Sequence, residues 1–222
     1  MKQKMKRFEN QFDQFSYSNQ QLKFTLGTLT VVFLSVFLIV ISTFTQISVN
    51  KYCMPSYLLK LIGLDSMSTC FYKYIPQIPV ILFIATLLGR KFGTISVILY
   101  IIAGLFFVPI FALGGGINYI FEYPFGFILA YIPAVIISGG LLDKEFSLKN
   151  ILKATIFGVL IIHIIGILYL IIILFLKSEP LCYVLNWITI PSGIKIVYDL
   201  VFGLIAILIG RLVKKILWLA MG

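Results

Sequence analysis

The chain has 222 residues, of which 60% are hydrophobic and 12% charged, with a formal net charge of +10 and a mean hydropathy of +1.06. A soluble domain carries about 25% charged residues, so these values exclude a water-soluble monomer. In so apolar a chain the excess of Lys and Arg reads as loop residues facing anionic lipid headgroups, not as a nucleic-acid surface.

The first 22 residues are polar and read as a cytoplasmic tail, which leaves 23–222 as one membrane domain. A spanning helix needs about 20 mostly apolar residues, so uncharged stretches define the candidates. Lys23 to Lys51 encloses 27 such residues around LTVVFLSVFLIVIS. The stretch is too long for a cleaved signal peptide, and no small-residue cleavage site follows it. Within it Thr28, Ser35 and Ser42 recur every seven residues and share one face, where a helix can approach closely. The loop from about 45 to 75 contains SYLLKLIGL, which fits a short interfacial helix. Cys53 and Cys70 in that loop, and Cys182 later, are all expected outside; a Cys53–Cys70 disulfide and three unpaired thiols are both open.

Pro76 and Pro79 open a second span, with 16 uncharged residues between Lys73 and Arg90, and GRK at 89–91 predicts a tight inner turn. A third, of 30 residues between Lys91 and Glu122, ends in VPIFALGGGINY. Gly114, Gly115 and Gly116 either bring backbone close to a ligand or a neighbouring helix, or form a flexible loop. The fourth and fifth spans have 20 residues between Glu122 and Asp143 and 23 between Lys153 and Lys177. His163 sits near the middle of the fifth, where Gly158 and Gly166 share one side. With no carboxylate within a turn of it along its own helix, His163 reads as a neutral, hydrogen-bonded packing residue in preference to a proton relay.

A sixth span over roughly 190–213 begins at Pro191 and Ser192 and is interrupted by Lys195 and Asp199 before a clean run from Leu200 to Gly210. Ionisable groups inside spans are costly and mark candidate sites. Four residues apart, these two share a helical face, and either neutralise each other or leave Lys195 to receive a carboxylate at a helix N-terminus. The fold expected is therefore all-α, an integral membrane bundle of six transmembrane helices. With both termini cytoplasmic, 13 of the 18 Lys and Arg residues fall inside, as the positive-inside rule requires. There is no catalytic triad, no metal-ligand cluster and no GxxxxGK[ST] loop, so the chain does not read as an enzyme, and any ATP is used by another subunit.

The ordered elements LLGRKFG, SVILYIIAGL, VPIFALGGG and PFGFILAY, within residues 74–142, resemble the BioY family of biotin-binding S components of energy-coupling-factor transporters. The resemblance covers about a third of the chain strongly and extends weakly to IPSGIKIV. It implies a plasma-membrane protein that holds biotin near the outer face and docks to a transmembrane coupling protein and paired ATPases. By position Lys195 matches the family lysine expected to hold the biotin carboxylate, and Asn118 is the candidate for the ureido ring. Phe111, Tyr119 and Trp187, with Gly115 and Gly116, are expected to line an apolar pocket. Ser192 stands where the family has an acid, so that contact is lost or is supplied by Asp199 or Glu122. The alanine-xxx-alanine docking motif is missing from the first span, and the Thr28/Ser35/Ser42 face is the expected substitute. Another small carboxylated vitamin, or a structural role without ligand, are the competing readings.

Overall fold

A computed structural model describes residues 26–49, 72–178 and 195–221. Cys53, Cys70, Cys182, the SYLLKLIGL segment, Trp187 and Ser192 lie outside the described residues.

Helix α1 (Leu26–Phe44) buries Val32, Ser35, Ile39, Ser42 and Thr43, a single stripe at helical spacing. Phe33, Leu34, Phe37, Ile41 and Phe44 point outward and are exposed, as suits a lipid-facing side. The buried hydroxyls are satisfied within the helix: Ser35 donates to the Val31 carbonyl at 2.8 Å, and Ser42 to that of Ile39 at 2.7 Å. In an apolar medium such local pairing removes the cost of burying a polar group. Of the small-residue face, Ser35 and Ser42 are buried in the chain's own packing, while Thr28 is half-buried.

A loop was expected between the first two spans, but its ends pair. β1 (Ile47–Val49) and β2 (Tyr72–Tyr74) are antiparallel, with Ile47 opposite Tyr74 and Ser48 opposite Lys73. Short β-branched and aromatic runs suit this pairing.

Helix α2 (Gln77–Ile102), continued by a π-helical turn at Ala103–Phe107, is interrupted at Gly89, which has φ +69° and ψ −172°. Gln77 Nε2 and Tyr100 OH nevertheless both reach Thr43 Oγ1, at 2.6 and 3.2 Å. Twenty-three residues apart in an unbroken helix, they would be separated by about 34 Å. Residues 77–88 and 90–102 are therefore two arms lying side by side, and GRK makes the tight turn that its composition predicts. The turn seats on α3 (Phe125–Lys144). The Arg90 N–H donates to Asp143 Oδ2 at 2.8 Å, and a Cβ at Gly89 would lie 2.7 Å from Asp143 Oδ1. Asp143→Ala, which removes this cap on the second arm, is expected to cost about 1 kcal/mol. A lowered thermal unfolding midpoint checks it; an unchanged midpoint removes Asp143 from the turn's support.

Helix α4 (Leu148–Lys177) starts at Ser147, whose hydroxyl accepts the Asn150 N–H at 3.4 Å. It packs on α3 through glycines: a Cβ at Gly158 would lie 2.5 Å from Ser138 Oγ, and one at Gly166 2.3 Å from the Phe127 ring. The sequence placed these two glycines on a packing side, and the structure uses them so. Helix α5 (Lys195–Met221) completes the bundle against α2 and α4. The core runs through Ile81, Leu82, Ala85, Val97, Ala134, Val159 and Ile207.

Five helical segments are long and apolar enough to cross a membrane: Leu26–Phe44, Gln77–Phe107, Phe125–Lys144, Leu148–Lys177 and Lys195–Leu217. The second contains both arms of α2, where the sequence places two separate spans. Exposed Leu, Ile, Val and Phe along α1, α4 and α5 form a belt far larger than a soluble monomer carries.

Candidate functional site

The two ends of the bundle differ in chemistry. At the Gly89 end are Arg90, Lys91, Lys144, Lys149, Lys153, Arg211, Lys214 and Lys215. The opposite end, capped by the glycine-rich loop, gathers buried hydroxyls, an amide, an imidazole and a carboxylate among aromatic rings.

The loop is built, not slack. Phe111 and Gly114 exchange backbone hydrogen bonds at 2.8 and 3.0 Å, and the Gly116 N–H donates to the Gly104 carbonyl at 2.9 Å. Gly114 and Gly116 have φ of +119° and +89°, the region that glycine occupies without penalty. Gly115 is needed for a different reason: its Cβ would lie 2.6 Å from Pro109 Cα. The close backbone approach is thus to the chain's own π-helical turn. The Phe111 ring lies over Gly104, where a Cβ would be 2.1 Å from Phe111 Cζ. Gly104→Ala is expected to displace that ring and cost about 1–3 kcal/mol, read as a fall in the unfolding midpoint; a stability equal to that of the parent refutes it.

Phe111 anchors an aromatic cluster with Tyr100, Tyr119 and Phe125, at centroid separations of 5.4, 4.7 and 6.4 Å. Phe111 and Tyr119, both expected to line a pocket, are brought together and buried. Burial pushes the Tyr119 hydroxyl above its ordinary pKa, with Glu122 adding to the shift. Asn118 is exposed and Glu122 half-buried.

Two hydrogen-bonded groups lie beneath. Thr43 Oγ1 donates to the Ile39 carbonyl at 2.9 Å and accepts from Gln77 Nε2, so its contact with Tyr100 requires Tyr100 to be the donor. Gln77 Oε1 in turn accepts from Tyr131 OH at 2.9 Å. This chain of contacts ties α1, both arms of α2, and α3. The second group centres on Asp199, which is fully buried. Its Oδ1 accepts from Tyr74 OH at 2.8 Å, and its Oδ2 lies 3.1 Å from His163 Nε2.

His163 is buried and hydrogen-bonded within the bundle, and the carboxylate that its own helix lacks arrives from α5 as Asp199. Asp199 does not pair with Lys195: its two oxygens are engaged by Tyr74 and His163. Lys195 opens α5 and is half-buried. Among the described residues no carboxylate lies within ion-pair distance of it. The sequence reading missed Thr43, Tyr74, Gln77, Tyr100 and Tyr131. The available signal was polar side chains at the ends of apolar runs, which a search for charge passes over.

The BioY family's sequence model matches residues 16–218. The chain is similar to the "Probable biotin transporter BioY" of Lysinibacillus sphaericus, at 33% identity over 96 residues. That segment is 42% of this chain and spans about half (49%) of the relative's length. The fold resembles the crystal structure of an S-component for biotin from an ECF-type ABC transporter, with a TM-score of 0.63 and 22% identity over 87% of this chain and 95% of that one. With the match running across nearly the whole sequence, glycine loop and α5 included, the chain belongs to the BioY family.

Proposed function

We propose that the chain is the S component of an ECF-type transporter, which binds biotin and carries out its uptake across the plasma membrane. The observation that carries this reading is Lys195, a half-buried ammonium without a carboxylate partner among the described residues, at the same end of the bundle as the glycine loop and the buried aromatic cluster. A ligand with an apolar ring system, a short acyl chain and a terminal carboxylate complements that set. Lys195 takes the carboxylate, and Phe111 and Tyr119 with Gly115 and Gly116 face the ring. Gln77, half-buried and carrying both a donor and an acceptor, is a second candidate for the cyclic urea beside exposed Asn118, exchanging its present bonds to Thr43 and Tyr131 for the ligand's. Glu122 completes the rim.

The two arms of α2 each cross the bilayer in this reading, giving six crossings with both termini cytoplasmic. The basic Gly89 end supports that orientation, since cytoplasmic ends collect Lys and Arg. ATP hydrolysis belongs to partner ATPases acting through a transmembrane coupling protein, and the chain itself needs no cofactor. Labelled biotin uptake in a biotin-auxotrophic host, with and without coupling subunits, tests the reading. Uptake that depends on this chain supports it. Absence of uptake, together with a ligand panel in which a different carboxylated vitamin stabilises the purified protein, transfers the site to that vitamin. A protein stabilised by no ligand refutes the transport reading.

A further inference from the structure

Opposite charges one helical turn apart inside a membrane are expected to pair, because an isolated charge there is costly. Lys195 and Asp199 do not pair. The carboxylate is fully buried and bonded to Tyr74 and His163, while the ammonium stays at the bundle's edge.

We propose that Tyr74 and His163 are positioning residues that hold Asp199 away from Lys195 and so keep the ammonium available to the ligand's carboxylate, a role that rests on Lys195 being that carboxylate's partner. Both groups are fixed by their surroundings. Tyr74 is fully buried, pairs with Ile47 through β2, and packs against Tyr198 and Phe202 at centroid distances of 5.8 and 5.4 Å. His163 comes from the middle of α4, its ring edge-on to Phe127 at 6.1 Å. Phe127 is itself confined by Gly166, where a Cβ would overlap its ring.

The chemistry of the clamp is consistent with its geometry. The Tyr74 hydroxyl donates to one carboxylate oxygen, and the tautomer of His163 with its proton on Nε2 donates to the other. The competing contact is a poor one. Lysine N-terminal to its acid is the weaker order for a helical ion pair, and a cation in the first turn of a helix opposes the helix dipole. Two hydrogen bonds from rigid donors therefore keep the anion. What remains at the edge is an ammonium whose local helix field already favours an incoming anion.

The clamp predicts a pattern that a merely structural role does not produce. Biotin and biotin methyl ester, which lacks the anionic carboxylate, are titrated against the purified full-length protein and its variants. Tyr74→Phe keeps the ring packing but frees one carboxylate oxygen. If Asp199 then occupies Lys195 nine-tenths of the time, biotin affinity falls about tenfold while that of the ester is unchanged. His163→Gln is a second arm with the same expected sign. Adding Asp199→Asn to Tyr74→Phe removes the competing charge and is expected to return biotin affinity to within about twofold of the parent. Equal losses for biotin and ester, no loss in either single variant, or no recovery in the double variant overturn the clamp. Lys195→Ala separates the two levels. A biotin-specific loss there without one in Tyr74→Phe overturns only the clamp, whereas an unaffected Lys195→Ala overturns the carboxylate reading and the clamp with it.

Discussion

Lys195→Ala is expected to weaken biotin binding by roughly 30- to 150-fold, corresponding to about 2–3 kcal/mol for a hydrogen bond to a charged group shielded from bulk water. The size follows from where Lys195 stands. It begins α5 at the glycine-loop end, half-buried, and the nearest acid along its helix is bonded elsewhere. An ammonium in that position contributes its full interaction to an incoming carboxylate, because among the described residues no carboxylate pairs with it and has to be displaced first. Lys195→Arg retains the charge but replaces a compact ammonium with a planar fork of different reach, so a smaller loss is expected. Isothermal titration in detergent reads all three proteins directly. Parent and Lys195→Ala proteins with the same affinity would take Lys195 out of the site.

The parts of this molecule that were legible in the sequence are those determined by local composition. Apolar stretches between charges locate the membrane helices because burial in lipid acts on each segment by itself. The turn at 89–91 was legible for the same reason: a glycine and two cations interrupt an apolar run. Partners were not legible. The spacing of Thr28, Ser35 and Ser42 shows that something packs closely there, but not that the chain's own bundle buries Ser35 and Ser42. His163 shows the same limit, since helical periodicity reports on neighbours along one helix while its acid belongs to another, 36 residues away. Tyr74 reaches Asp199 only because β2 pairs with β1 across a long connection. Gln77, Tyr100 and Tyr131 carry no charge and barely interrupt hydropathy, although each is a polar group in an apolar setting that needs a partner.

Asp199→Leu is expected to destabilise the protein by about 2–5 kcal/mol, because Tyr74 and His163 each lose a partner while buried, at about 1–3 kcal/mol per orphaned group. Burial decides the magnitude: Tyr74 and Asp199 are fully buried and His163 is 2% exposed, so water cannot replace the lost bond. The three residues join β2, α4 and α5, so the defect falls on the seating of α5 and with it on the position of Lys195. His163→Leu is destabilising on its own because it leaves the carboxylate underpaired. The His163→Leu/Asp199→Leu protein, however, replaces a buried polar pair by apolar volume, a change that is often close to neutral. Its loss is therefore expected to be smaller than the sum of the two single losses by about 1–3 kcal/mol, the coupling of groups in direct contact. Thermal unfolding of the four proteins in one detergent measures this cycle. Additive losses would mean that His163 and Asp199 do not interact, and that α5 is held by its apolar packing alone.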